Sequence, residues 1–269
     1  MKKILFFLLL AVCSMSISAQ GPSKKCPVCG LSIPKCQYKG KHPKVSPSKP
    51  TNTSSNIGTK SNAYGCDFVA TTVEGVKIYY KIISSNTCKL IKTNIPKVRN
   101  NSEFYFKPKC NRVTIPSSVE YNNNKYNITI IGKMAFDHAA VKRIVIPNTV
   151  TIFDPDAFYY STVSELNIPL SVQKIGDYCF HVCKRLNNIA IPEGITVLGK
   201  STFGYCDHLK RLTLPKSLKQ IDKDAFWCVG DDMIINYNGN IEDWRNIKND
   251  DAWLFGRATI HCIDGNITL

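Results

Sequence analysis

The chain repeats itself every 22 or 23 residues, and no other property limits its fold as strongly. Proline falls at Pro147, Pro169, Pro192 and Pro215, with spacings of 22, 23 and 23. Phenylalanine falls at Phe136, Phe158, Phe180, Phe203 and Phe226, with spacings of 22, 22, 23 and 23. Two markers sharing one period identify an array of like units, none of which can bury its apolar face alone; stacking them makes one continuous core. In the unit that begins at Leu166, Leu166 and Ile168 alternate with period two and read as a short strand with both side chains inward. Pro169 ends that strand, because proline has no N–H to give to a ladder. Val172 and Ile175 read as a second extended edge, and Cys179-Phe180 as the plug of the coil. Cys183 and Leu186 read as the turn into the next strand.

This pattern, Ile-Pro-x-x-Val-x-x-Ile-Gly-x-x-Ala-Phe-x-x-Cys-x-x-Leu, resembles the BspA-like leucine-rich-repeat family of bacterial surface proteins, over roughly residues 113–262. The segments Gly75–Tyr80 and Val113–Val119 resemble the lead into such arrays. Tyr237–Trp244 with Thr259–Gly265 is similar to the family's terminal unit. The resemblance implies an α/β-type solenoid dominated by short strands, a right-handed coil of about five to six units. It also implies adhesion to host or matrix proteins. Three departures are local: Ala139 stands where the repeat has Cys, Thr202 where it has Ala, and residues 120–130 read as an inserted Asn-rich loop.

The flanks read as six further assignments. Lys2 and Lys3, the apolar run Ile4–Val12 and the small-residue exit to Ala19 give residues 1–19 the layout of a secretory signal peptide. A lipobox-like Leu10-Ala-Val-Cys13 leaves lipid anchoring at Cys13 as the lesser alternative. No segment is long and apolar enough for a transmembrane helix. The chain is thus expected to be exported, whether secreted, periplasmic or on the cell surface. Residues 20–42 form a Cys-rich segment, and residues 43–63, rich in Pro, Ser, Thr and Asn, read as a flexible linker. Residues 64–112 read as an N-terminal β-meander cap, 113–235 as the repeats, and 236–269 as a C-terminal capping repeat in which Trp244 and Trp253 cover the last coil.

The net charge of +15 sits mostly at the front, where residues 1–64 hold ten Lys and no acid. A basic arm on an exported chain suits anionic glycans, headgroups or acidic proteins, or serves only as a solvated tail; nucleic acid is not an expected partner. Within this arm, Cys26, Cys29, Cys36 and His42 follow a C-x2-C-x6-C-x5-H spacing that would satisfy tetrahedral structural zinc. The competing reading is oxidation to disulfides. Without Cys13 the chain holds eleven cysteines, an odd number. Cys183, Cys206 and Cys228 recur with the repeat and read as a ladder of small buried hydrophobes. A bridge among Cys66, Cys88 and Cys110 would staple the cap.

Residues common to every unit are core, so recognition must use those that vary. The outward strand positions are Arg143, Val145, Glu165, Asn167, Asn188, Ala190, Arg211 and Thr213, and they form the expected protein-binding face. Tyr159, Tyr160, Tyr205 and Trp227 follow the repeat Phe and form either a ridge for protein or sugar, or packing between coils. None of the five His lies in a recognisable catalytic motif, and there is no Gly-rich phosphate loop. The expectation is a binding protein and not an enzyme, with a carbohydrate-binding module or a zinc-stabilised scaffold as alternatives.

Overall fold

The computed structural model describes residues 59–97, 110–230, 233–249 and 258–268. The chain divides into two units, Met1–Asn52 and Thr53–Leu269. The first lies wholly outside the described residues, and with it the signal peptide, Cys13, and the Cys26, Cys29, Cys36, His42 set.

The second unit opens with an antiparallel meander of β1 (Thr59–Lys60), β2 (Phe68–Thr71), β3 (Lys77–Ile82) and β4 (Thr87–Thr93). β1 takes two residues of the stretch read as linker. Then come β5 (Cys110–Thr114), β6 (Ser118–Tyr121), β7 (Asn124–Ile131), β8 (Val141–Val145), β9 (Ile152–Phe153), β10 (Glu165–Leu166) and β11 (Lys174–Ile175). The later repeats supply β12 (Asn188–Ala190), β13 (Val197–Leu198), β14 (Arg211–Leu214), β15 (Gln220–Ile221) and β16 (Met233–Tyr237). Helix α1 (Ile241–Arg245), β17 (Lys248–Asn249), β18 (Ala258–Cys262) and β19 (Gly265–Thr268) follow. Among the described residues α-helix is confined to five residues, with a 3-10 turn at Ala63–Gly65, so the expected dominance of short strands holds and the α/β label does not. Proline and the tight turns leave no span long enough for a helix within a repeat.

One strand per repeat builds a first parallel ladder, β5–β8–β10 and then β12–β14–β16–β18. A second starts from the longer β4 and β7, continues through two-residue edges, and runs β4–β7–β9–β11 and then β13–β15–β17. The expected alternation holds: Leu166 and Ile168 are buried, while Asn167 is exposed. Between the ladders each Pro carbonyl accepts the N–H three residues on, as Pro169 does from Val172 at 3.1 Å.

A third side carries no strand, yet it is the most regular. In each repeat the residues two before and two after the Phe have left-handed backbone, for example Tyr178 and Val182 around Phe180. Ten of the thirteen positive-φ non-glycine residues lie at these two places. Left-handed backbone costs roughly 1 kcal/mol or more per residue. The alternation turns every second N–H toward the next coil: Tyr178, Phe180 and Val182 donate to the carbonyls of Lys200, Thr202 and Gly204 at 2.8–2.9 Å. Inside this side the five Phe rings stack in one column, with centroids 5.3, 5.3, 5.3 and 5.7 Å apart and planes within 12°. All five are fully buried.

Three expectations are corrected. Residues 120–130 are a hairpin, not a loop: β6 pairs antiparallel with β7 through Asn122 and Asn123, both left-handed, a conformation Asn tolerates. Cys228 is not in register with Cys183 and Cys206; Val229 takes that buried place, and Cys228 occupies the left-handed position and is partly exposed. The eight described cysteines are all free thiols, Cys66, Cys88 and Cys110 included. In the stack each thiol turns to a carbonyl instead: Cys183 donates to Phe158 O and Cys206 to Phe180 O, both at 3.1 Å.

Local contacts mark both ends of the described stack. Glu74, in the β2–β3 turn, accepts from Thr114 N at 3.1 Å and from Thr114 Oγ1 at 2.5 Å, at the end of β5. At the far end, α1 has a reciprocal cap between Asn240 and Asp243, and buried Trp244 packs edge-on against Tyr237 at 5.3 Å. Trp253 lies outside the described residues.

Candidate interaction surface

Both ladders break at one boundary: β10 does not pair with β12, nor β11 with β13. The boundary coincides with a change of repeat length. From Phe136 to Ile144 and from Phe158 to Leu166 is eight residues, but from Phe180 to Ile189, Phe203 to Leu212 and Phe226 to Ile235 it is nine. The first longer turn brings its strand in out of step with the strand before it. The Phe column and its backbone bonds continue across the boundary. Two grooves open as a result, one on each ladder.

The groove on the first ladder, about 530 Å³, is lined by Arg143, Val145, Glu165, Asn167 and Asn188 together with the strand backbone. The structure thus brings five of the positions chosen from sequence into one concavity. Arg143 Nη2 lies 2.5 Å and Lys142 Nζ 3.0 Å from the two Glu165 oxygens. The Lys142 hydrogen bond, then the Arg143 charge, hold the Glu165 carboxyl below its ordinary range. Asn188, Ala190 and Arg211 are exposed, and Val145 and Thr213 half-buried.

The aromatic positions form a second surface on the strandless side. Tyr159, Tyr160 and Trp227 are half-buried, while Tyr205 is 42% exposed. Two histidines that have no sequence motif join them. His138 stacks on Tyr160 at 4.6 Å, and Tyr159 stacks on His181 at 5.6 Å. Tyr178 and Tyr205 meet His181 edge-on, both at 5.4 Å. The next coil makes room for His181 with Gly204, where a Cβ would lie 2.6 Å from His181 Nδ1. The period could have located His138 and His181, since each immediately follows the Phe or stands one further on. Burial pushes the His181 imidazole below its ordinary value, partly offset by its contact with Ser201 O. Burial raises the Asp137 carboxyl, but hydrogen bonds from Lys97 and His138 outweigh it and leave the group below its ordinary value. Rings stacked on one another expose edges and hydroxyls, which suits contact with a protein more than stacking on a sugar.

Three columns thus repeat along the stack, the arrangement that a repeat solenoid requires. Residues 100–230 match the family model for the "BspA type Leucine rich repeat region" in six copies. No curated protein matches the chain. Among solved structures, the pneumococcal vaccine antigen PcpA is 14% identical, with a TM-score of 0.45, over 68% of this chain and 51% of that one. A leucine-rich cell surface protein of Faecalibacterium prausnitzii is 22% identical, with a TM-score of 0.44, over 72% and 55%. A leucine-rich-repeat protein of T. pallidum is 18% identical, with a TM-score of 0.46, over 65% and 96%. The chain spans about half the length of the first two. No described helix is long and apolar enough to cross a membrane.

Proposed function

We propose that this chain is an exported binding protein whose repeats form a right-handed solenoid, capped by the meander and by the α1–β19 segment, and that it adheres to a host or matrix protein. The observation that carries the reading is the division of labour within each repeat. The Phe, Pro and Ile/Leu positions that recur serve the core. The positions that vary, Arg143 to Thr213 on the strands and Tyr159, Tyr160 and Tyr205 on the strandless side, reach the surface. Tyr and Arg on rigid scaffolds are frequent centres of protein contact. The histidines support binding over catalysis, because His138 and His181 are tied into ring stacks.

The test is a matrix-protein and glycan array probed with the mature chain, repeated with Tyr159→Ala/Tyr160→Ala/Tyr205→Ala and with Arg143→Ala/Asn188→Ala/Arg211→Ala. Protein binding lost in one or both variants supports the reading. Binding confined to glycans, or protein binding unchanged in both variants, removes it. The zinc proposal for Cys26, Cys29, Cys36 and His42 rests on spacing and is tested separately. Metal analysis of the reduced mature chain should give one zinc per chain, lost in Cys26→Ser/Cys29→Ser; no stoichiometric zinc would exclude it. Sizing and lipid analysis of the secreted product separate cleavage after Ala19 from lipidation at Cys13.

A further inference from the structure

We propose that the groove alongside β15 and β17 binds a sulfated polysaccharide, held by Lys200, Lys223 and Lys248. This site adjoins the aromatic surface at Tyr178 and does not depend on the identity of the partner bound there. The groove, about 480 Å³, is lined by these three lysines with Gln220, Asp222 and Asn249. Lys200 and Lys223 each stand three residues before the repeat Phe, so they occupy one place in successive coils. Ser201 N donates to Lys223 O at 3.2 Å, which confirms that the two coils are in contact there. Adjacent coils lie about 5 Å apart. β17 adds Lys248, whose backbone is in register with Gln220.

Three like charges are therefore gathered on one groove, and among the described residues no carboxylate lies within ion-pair distance of any of them. The stack can neutralise this place: Lys133, its counterpart in an earlier repeat, lies 3.9 Å from Asp156 Oδ2. Asp222, which lines the groove, is engaged by Gln220 Nε2 at 2.6 Å. Asp177 and Asp224 act on Lys200 only at longer range. The Lys200 ammonium stands 5.9 Å from the Tyr178 ring centre, a contact that orients the cation without cancelling its charge. An unneutralised row of charge is an electrostatic cost that an anionic ligand would remove.

The chemistry of the row selects the anion. All three cations are ammonium groups, compact point donors, and no guanidinium fork lines the groove to pair with a planar carboxylate. One ammonium per singly charged sulfate ester matches a polysaccharide that carries charge at intervals along its length. The Asn249 amide is left to bond sugar hydroxyls. An acidic peptide is the competing class, and the absence of arginine argues against it.

The test titrates the full mature chain with fluorescent dextran sulfate, unsulfated dextran and poly-glutamate at several salt concentrations. It compares the wild type with Lys200→Gln/Lys223→Gln/Lys248→Gln and with Lys60→Gln/Lys77→Gln/Lys125→Gln, which removes the same charge from the first third of the unit. The groove variant should weaken dextran sulfate binding about tenfold or more and flatten the salt dependence by about two to three ions, by analogy with counterion release from polyanions. The control variant should change binding by less than about threefold. Thermal melts show whether both variants fold. Equal losses in the two variants would overturn the site, because charge alone would then explain binding through the basic arm. Poly-glutamate binding that is as tight, and as sensitive to the groove variant, would overturn the polysaccharide assignment. Absence of dextran sulfate binding would overturn both.

Discussion

Replacing Phe180 by alanine tests the Phe column directly. The ring is fully buried and is stacked at 5.3 Å on both Phe158 and Phe203, with Phe153 edge-on at 6.3 Å. Truncating a buried Phe costs about 3–5 kcal/mol through lost transfer energy and the cavity left behind. Each aromatic partner adds about 0.5–1.5 kcal/mol beyond area. Phe136 is equally buried but stacks on one described ring, Phe158. Phe180→Ala should therefore cost about 5 kcal/mol, and Phe136→Ala about 1 kcal/mol less. The assay is urea unfolding followed by far-UV circular dichroism, with the slope compared between variants. Stacked repeats couple only to their neighbours, so a gap at Phe180 should also split the transition, whereas one at Phe136 should erode it from one end. A Phe180→Ala cost below about 2 kcal/mol, or below that of Phe136→Ala, would refute a column in which each ring supports the next.

Three other outcomes follow from the same geometry. Burial pushes the Cys88 and Cys183 thiols up to about 12, and raises Cys206 as well. At pH 8 a thiol reagent should therefore modify the partly exposed Cys228 and Cys262 in the native chain, and Cys88, Cys183 and Cys206 only at the rate of unfolding. His181 is depressed by burial, so the unfolded chain binds its proton more readily. Stability should then fall as pH drops from the unfolded value of about 6.5 through the lower folded value, and His181→Gln should flatten that decline; an unchanged slope would count against a buried neutral His181. Gly176→Ala places a Cβ 2.5 Å from the Pro155 backbone nitrogen, which cannot give way, and should cost about 1–3 kcal/mol by melt, while Gly75→Ala meets no atom within 4 Å and tests only positive φ.

The repeat was legible in the sequence because stacking imposes one environment on each equivalent position. A residue recurs where the same neighbour, itself in the coil before and after, meets it. Phe180 must be Phe because Phe158 and Phe203 are, and Leu166 must be apolar because Ile144, its partner on β8, is. The surface rows are legible as what remains, so Arg143 and Tyr159 stand out in the sequence, while His138 and His181 belong to no motif and gain their place only from the ring stacks. Whether the residues 120–130 formed a loop or a hairpin depended on a strand to pair with, and β7 finds it in β4 and β9, far away in the chain. The Cys228 register turned on whether Cys228 or Val229 faced inward, which one left-handed residue decides. The period by itself determined that this chain stacks and which residues form its core. Only the tertiary structure decided where the stack opens. The change from eight to nine residues between Phe and strand can be counted in the sequence, but the break it makes depends on backbone hydrogen bonds between coils. For the same reason, three lysines far apart in the chain become one unneutralised groove only once the coils set Lys200, Lys223 and Lys248 side by side.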